Sequence, residues 1–410
     1  MNPVPDAVVV GAGQAGYQTA ASLRSQGFSG GVVLIGDEPG TPYQRPPLSK
    51  TYLAAGDEDP EFRSAAYYAK NDITLINQRV VGIDREARAV RLADGESVAY
   101  GHLVLATGSR TRSLPVPGAD LRGITTLRTR ADADALRAGL AAAERVVVVG
   151  AGFIGFEIAA AASKFGHRVT VVEATDRAMA RVVSARTAER FTAFQRENGN
   201  EVLFGSGVRA FHGTGGHVSA VELTDGTELP ADLVVLGVGI TPNTELAEEA
   251  GLEVADGVVV GDDLLTSDPD ISAIGDCAAF PHARLGRRVR LESVQNATDH
   301  ARCVADRLTG APRPYRAVPW FWTEQFDARL QIAGVSDGHD TEVLLGDGES
   351  AFSVLLFRDR RLVGVESVNR PGDHMAARKL LAADSALEPA EAERPGFVLK
   401  DYVRNALAKV

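Results

Sequence analysis

Apolar and polar positions follow the same order twice along this chain. Ala7-Val8-Val9-Val10 and Val146-Val147-Val148-Val149 are unbroken apolar runs, each followed by a glycine-rich turn and an alanine-rich stretch of helical composition. Short β-branched runs without alternation predict strands buried on both faces, as in a parallel sheet. Val32-Val33-Leu34-Ile35-Gly36 and Val169-Thr170-Val171-Val172 predict the second strand of each unit. Leu103-Val104-Leu105 and Leu233-Val234-Val235-Leu236 predict strands that return to a sheet, and Ile271-Ser272-Ala273-Ile274 a further buried strand. A helix is predicted from Val294 to Leu308. From Ala317 the pattern changes. Phe352–Phe357 and Leu362–Val365 flank the charged residues 358–361 as arms of a β-hairpin, and a helix is predicted near Asp373–Ala383. The chain is therefore α/β with an α+β tail. Pro389 and Pro395 interrupt the final stretch, which predicts a loosely wrapped end.

The two turns read Gly11-Ala12-Gly13-Gln14-Ala15-Gly16 and Gly150-Ala151-Gly152-Phe153-Ile154-Gly155. In a strand–turn–helix unit the first glycine permits the tight turn and the second lets a pyrophosphate approach the backbone. The third lets helix pack on strand, and the helix N-terminus supplies partial positive charge. Each unit also has an acid, Asp37 and Glu173, at the end of its second strand. That lies about 20 residues past the helix start, where a carboxylate accepts from ribose hydroxyls. The chain is expected to bind two dinucleotides. The turns Ala106-Thr107-Gly108 and Gly237-Val238-Gly239 are expected to pass close to a ligand.

Charge and cysteine content narrow the reading. The net charge of −11 argues against nucleic acid as a partner. No basic leader precedes an apolar stretch at Met1–Asp6, and the uncharged Ala7–Leu23 carries too many glycines and polar residues for a spanning helix. A cytoplasmic, membrane-free protein is expected. Cys277 and Cys303 are the only cysteines, and neither lies between Asp37 and Arg79. A thiol relay to a disulfide or peroxide is not expected, and both cysteines read as small buried hydrophobes. No metal-ligand spacing and no nucleophile–base set is present.

Arg45-Pro46-Pro47-Leu48-Ser49-Lys50, Ala106-Thr107-Gly108, Gly150 to Glu157, Thr266-Ser267-Asp268-Pro269, Ile274-Gly275-Asp276-Cys277, Glu292-Ser293-Val294-Gln295-Asn296-Ala297 and Pro319-Trp320-Phe321-Trp322 complete the pattern. On these motifs the chain resembles the FAD-dependent NADH:ferredoxin reductases that serve bacterial oxygenases, the putidaredoxin reductase type, over essentially its whole length. The resemblance implies two Rossmann-type domains, one inserted in the other, plus a C-terminal α+β domain. The expected boundaries are 1–112 with 241–316 for FAD, 113–240 for NAD and 317–410 for the third domain. It implies that Gly11, Gly13, Ala15 and Gly16 hold the FAD pyrophosphate and Asp37 the adenosine ribose. Val80 is expected near the adenine, Thr107 and Gly108 beside the cofactor, and Arg128 as a support at the domain crossing. Asp276 is expected on the ribityl chain, with the Val294 N–H at the pyrimidine edge. Lys50 is expected at the flavin ring and Glu157 near the nicotinamide, paired with Lys50 or orienting the carboxamide. Trp320 is expected close to the flavin. Gly150, Gly152, Ile154, Gly155, Glu173 and Gly239 are expected on the NADH side.

Glu173 favours NADH, since a carboxylate bonds a 2′-hydroxyl and repels a 2′-phosphate. Arg177 is the nearest following cation and sits beside Asp176. Residues 284–316 hold eight arginines against three acids. Arg284, Arg287, Arg288, Arg290, Arg302 and Arg307 are expected to steer an acidic [2Fe–2S] ferredoxin. The expected activity is hydride transfer from NADH to FAD, then single electrons to a ferredoxin serving a cytochrome P450 or Rieske oxygenase. A rubredoxin acceptor, or an NADH-responsive flavoprotein binding module, are the alternatives. The oligomeric state stays open.

Overall fold

The structure, a computed structural model, describes residues 6–55, 59–384 and 386–407. Its contacts gather into two compact units. The first takes the described residues of Met1–Arg45, Asp59–Arg110 and Ile240–Ala317. The second takes those of Pro46–Glu58, Thr111–Gly239 and Val318–Val410. The described residues of 46–58 therefore pack with the second unit, although they lie inside the segment 1–112 expected for FAD.

The first unit is built on a five-stranded parallel sheet. Its order is Ile271–Ala273, His102–Leu105, Ala7–Val10, Val32–Gly36, Ile73–Asn77. Ala7–Val10 is central and buried along its length, as its unbroken apolar run requires. Register pairs Ala7 with Val32 on one side and with His102 on the other. The helices Gln14–Ser25 and Val294–Leu308 pack together, and Gln14 Nε2 donates to Thr298 Oγ1 at 3.0 Å. Val80–Asp84, Ala89–Leu92 and Ser97–Ala99 form a small antiparallel sheet.

The second unit repeats the plan. Its parallel sheet runs Glu201–Phe204, Arg168–Glu173, Arg145–Val149, Leu233–Leu236, Ile124–Thr125. It also contains an antiparallel sheet of order Trp320–Gln325, Ala328–Gly334, Arg361–Val368, Phe352–Arg358, Thr341–Gly346. The predicted hairpin is its Phe352–Arg358 and Arg361–Val368 pair, and the predicted helix is Pro371–Ala382. The final stretch does not wrap loosely. Pro389–Ala392 and Leu399–Leu407 are helices, and Leu387, Ala392, Leu399 and Val403 are buried in the core of this end of the unit. Pro389 opens its helix, a place where the missing N–H costs nothing. Among the described residues no helix is long and apolar enough to cross a membrane.

Candidate functional site

Each unit contributes a glycine turn at the carboxyl end of its central strand. Gly11 takes φ +109°, and its N–H donates to Ile35 O at 2.7 Å. Gly150 takes φ +107°, and its N–H donates to Val172 O at 2.7 Å. L side chains rarely adopt this conformation. A Cβ at Gly11 would lie 2.1 Å from Ala106 O, and one at Gly150 2.4 Å from Gly237 O. The third glycines are equally constrained: a Cβ at Gly16 would sit 1.8 Å from Gly11 O, and one at Gly155 2.0 Å from Gly150 O. The middle glycines differ. A Cβ at Gly13 or Gly152 would meet nothing within 4 Å. Each turn thus leaves open space over the first N–H groups of a 12-residue helix, where a pyrophosphate fits.

Around the first turn, Thr107 and Asn243 interlock. Thr107 Oγ1 donates to Asn243 O at 2.7 Å and Asn243 Nδ2 to Thr107 O at 2.9 Å, while Gly108 O accepts from Asn243 N at 3.0 Å. Asp37 is exposed just past Val32–Gly36. Ala15 is buried, and Val80 is buried at the start of its strand. Asp276 follows Gly275 in a short 3-10 turn, and its Oδ2 accepts from Ser109 Oγ at 2.9 Å. Val294 opens the helix Val294–Leu308, capped by Ser293 Oγ accepting from Asn296 N at 3.0 Å. These residues fit a dinucleotide: open glycine turn, exposed acid, half-buried carboxylate and a helix N-terminus converge in one unit.

The second unit brings Lys50 and Glu157 together. Glu157 is 4% exposed, on the first helical turns after Gly155. Its Oε2 accepts from Lys50 Nζ at 2.8 Å and from Ser49 Oγ at 2.6 Å; its Oε1 accepts from Thr323 Oγ1 at 2.7 Å. A buried carboxylate survives only with such compensation, because leaving water is costly for a charge. Three donors from two segments, Ser49–Lys50 and Thr323, therefore hold the carboxylate, and the carboxylate holds the lysine. Ser49 belongs to the motif that carries Lys50, so it was within reach of sequence reasoning. Thr323 had no signal beyond lying next to Trp322.

Trp320, on the same strand as Thr323, stacks under the Arg378 guanidinium at 4.9 Å and lies 5.6 Å from the Trp322 ring. Arg128 lies in the second unit, with its N–H donating to Asp132 Oδ2 at 3.0 Å. Glu173 ties its own turn: Oε2 accepts from Ala151 N at 2.8 Å, and Oε1 from Thr175 N and Oγ1 at 2.9 Å each. Arg177 donates to Ala180 O at 2.7 Å and Val183 O at 2.9 Å. Ile154 is exposed at the helix start, and Gly239 takes φ +99°.

Cys277 and Cys303 are buried, with their sulfurs against backbone carbonyls at 3.2–3.5 Å. Burial pushes both thiols up, Cys303 to about 11. The arginine-rich segment is less free than its composition implies. Arg290 bridges Glu292 at 2.6 Å and Asp256 at 3.4 Å. Arg307 is half-buried and donates to Ser272 Oγ at 2.6 Å. Arg288 donates to Val260 O at 2.5 Å and Ala279 O at 2.8 Å. Arg284, Arg287, Arg288 and Arg302 are exposed, Arg302 beside Asp299 at 3.3 Å.

With this geometry in view, the likeness to known proteins is specific. Residues 5–301 match the family model described as pyridine nucleotide-disulphide oxidoreductase, and residues 320–403 match the one described as reductase C-terminal. The chain is 50% identical to rhodocoxin reductase of Rhodococcus erythropolis over 398 residues, 96% of this chain and 93% of that one. Among solved structures, the ferredoxin reductase for the CYP199A2 system from Rhodopseudomonas palustris matches with a TM-score of 0.95 at 47% identity. That match covers 97% of this chain and 99% of the other. The reductase of the covalent putidaredoxin reductase–putidaredoxin complex matches with a TM-score of 0.95 at 37% identity, over 99% of this chain and 100% of that one.

Proposed function

We propose that this chain, which belongs to the pyridine nucleotide-disulphide oxidoreductase family, is an NADH-dependent flavoprotein reductase that passes electrons to a [2Fe–2S] ferredoxin. The observation that carries the reading is the repeated glycine turn with open space over each helix start. Bound FAD would take hydride from NADH and give up electrons singly, chemistry that belongs to the cofactor. This chain's residues bind, orient and set charge. Gly11, Gly13, Ala15 and Gly16 hold the FAD pyrophosphate, and Asp37 accepts from its ribose. Asp276, steadied by Ser109, accepts from the ribityl hydroxyls. Val294 offers its N–H at the start of a 15-residue helix whose positive end favours added negative charge on the flavin. Val80, Thr107, Gly108 and Arg128 complete the FAD contacts.

Gly150, Gly152, Ile154, Gly155 and Gly239 receive NADH, with Glu173 accepting from the 2′-hydroxyl. A carboxylate retains lone pairs after the turn's own bonds are made. Arg177, spent on two carbonyls, offers no fork to a 2′-phosphate. Lys50 and Glu157 set the charge at the reacting rings, and Trp320 is the aromatic assigned to the flavin side. Both cysteines are buried, and burial pushes both thiols up, which works against a thiolate relay to a disulfide or peroxide. The division of labour follows 1–112 with 241–316 for FAD, 113–240 for NADH and 317–410 for the third domain. Ferredoxin steering falls to the exposed Arg284, Arg287, Arg288 and Arg302 more than to the half-buried Arg290 and Arg307.

Anaerobic mixing with NADH tests the reading: the purified chain is expected to be yellow, to bleach on NADH, and to recolour when an oxidised [2Fe–2S] ferredoxin is added. Colourless protein, or flavin that NADH leaves oxidised, overturns it. Recolouring by rubredoxin alone would move the acceptor and keep the chemistry. Arg302→Glu is expected to slow ferredoxin reduction and spare ferricyanide reduction.

A further inference from the structure

The Asp276 turn is held from behind by a histidine that the reading above does not use. Gly275 takes φ +72°, and its N–H donates to Nδ1 of His300 at 3.2 Å. His300 is fully buried on the helix Val294–Leu308. Its ring meets Phe280 edge-on at 4.7 Å between centroids and Tyr315 at 4.4 Å. The Tyr315 hydroxyl donates to Asn296 Oδ1 at 3.2 Å, and the Asn296 N–H is capped by Ser293 Oγ. A continuous set of contacts therefore runs from the helix cap, through Asn296, Tyr315 and His300, to the turn that presents Asp276. Since Nδ1 accepts, the neutral ring carries its proton on Nε2. Nε2 has no hydrogen-bond partner among the described residues, so the backbone N–H of Gly275 is the polar contact the ring makes there. Burial holds the imidazole down at about 3, so it stays a neutral acceptor at ordinary pH.

We propose that His300 is a positioning residue for FAD. Its Nδ1 locks the Gly275–Asp276 turn to the helix that begins at Val294, which keeps the ribityl acceptor and the pyrimidine-edge N–H at a fixed spacing. The inference rests on the assignment of FAD to the first unit. A leucine would fill the same volume but leave the Gly275 N–H buried without its acceptor, a loss greater than that of the bond itself. An asparagine can place its side-chain oxygen near the Nδ1 position.

The test compares holoprotein of the unchanged chain with His300→Leu and His300→Asn. FAD is expected to leave H300L about tenfold faster than the unchanged chain, with H300N close to the unchanged rate. Nitrogen-15 spectra of the unchanged holoprotein are expected to show Nδ1 bare and Nε2 protonated, whatever the folding yield of the variants. Release from H300L at the unchanged rate, release from H300N as fast as from H300L, or a proton found on Nδ1 each overturns the proposal. An unchanged chain that purifies without flavin instead overturns the FAD assignment beneath it.

Discussion

Gly11 and Gly16 in the first unit and Gly150 and Gly155 in the second meet the same backbone constraints, a positive φ at the first glycine and a carbonyl under 2.1 Å from any Cβ at the last. Past the turn the two helices diverge. The position in the first that corresponds to Glu157 is Gln18, which donates to Ser22 Oγ one turn on. In the second it is a buried carboxylate with Lys50, Ser49 and Thr323 around it. The acids diverge too: Asp37 is exposed, whereas Glu173 is bonded to its own turn. The comparison teaches that the glycine turn is a property of backbone geometry and can be used twice. The two copies differ in the side chains one or two turns further on.

The sharpest way to break this comparison is at the middle glycines. Gly13→Ala is expected to leave the melting temperature of flavin-free protein unchanged while FAD affinity falls about tenfold or more, because the added methyl enters ligand space only. Gly16→Ala is expected to lower the melting temperature as well, since its methyl has a carbonyl in the way. Equal flavin content and stability in both variants would show that the open space is not a cradle. Gly152→Ala should move NADH affinity and leave flavin content alone.

The next effect is at Glu157. Glu157→Gln removes the counter-charge of Lys50, and flavin reduction by NADH is expected to slow about ten- to a hundredfold with flavin content kept. Thr323→Val removes one hydroxyl donor at constant shape and is expected to slow it about fivefold, with Thr323→Ser restoring the rate. Gln18→Glu in the first unit should do neither. Stopped-flow traces indistinguishable from the unchanged chain would demote the cluster to packing.

A smaller effect is expected at Glu173. Glu173→Ala should cut kcat/KM for NADH about five- to tenfold, raise that for NADPH little, and so erase most of the preference. Arg177→Ala should leave the ratio as it was, because its guanidinium serves Ala180 and Val183. A higher kcat/KM for NADPH in the unchanged chain would refute the assignment.

Acid gives the mildest test. Burial, with Arg307 nearby, holds His102 down at about 3, and burial alone does the same for His300. In the second unit, burial, then Arg378 and Arg329, holds His374 at about 4. Unfolded imidazoles take a proton near 6.5, so below that the unfolded chain binds more protons and the fold weakens as pH falls toward 3. The urea midpoint is expected to drop across this window, and His102→Asn to flatten the slope. A midpoint constant over the same range would contradict the neutral burial of these rings.

Much of this was legible along the chain because its signals are local. Ala7–Val10 and Val146–Val149, each four apolar residues before a glycine turn, mark strands buried on both faces, and both are the central strands of their sheets. The strands of residues 208–230 and 320–346 were not anticipated, since their pairing partners are chosen by tertiary packing rather than by their own pattern. The loosely wrapped end was misread for a related reason. A proline looks like an interruption in sequence but is a good first residue for a helix once the helix has a core to cover.

The order of residues by itself determined the two glycine turns, the acids after them and the lack of any cysteine between Asp37 and Arg79, because each depends on neighbours in the chain and on composition. Only the folded molecule decided that Ser49 and Thr323 share one carboxylate with Lys50, that Arg177, Arg290 and Arg307 are occupied, and that a histidine stands behind the Asp276 turn. Those outcomes join residues far apart in sequence, and burial, which sets the cost of leaving a charge or an N–H unmatched, exists only after the chain has folded.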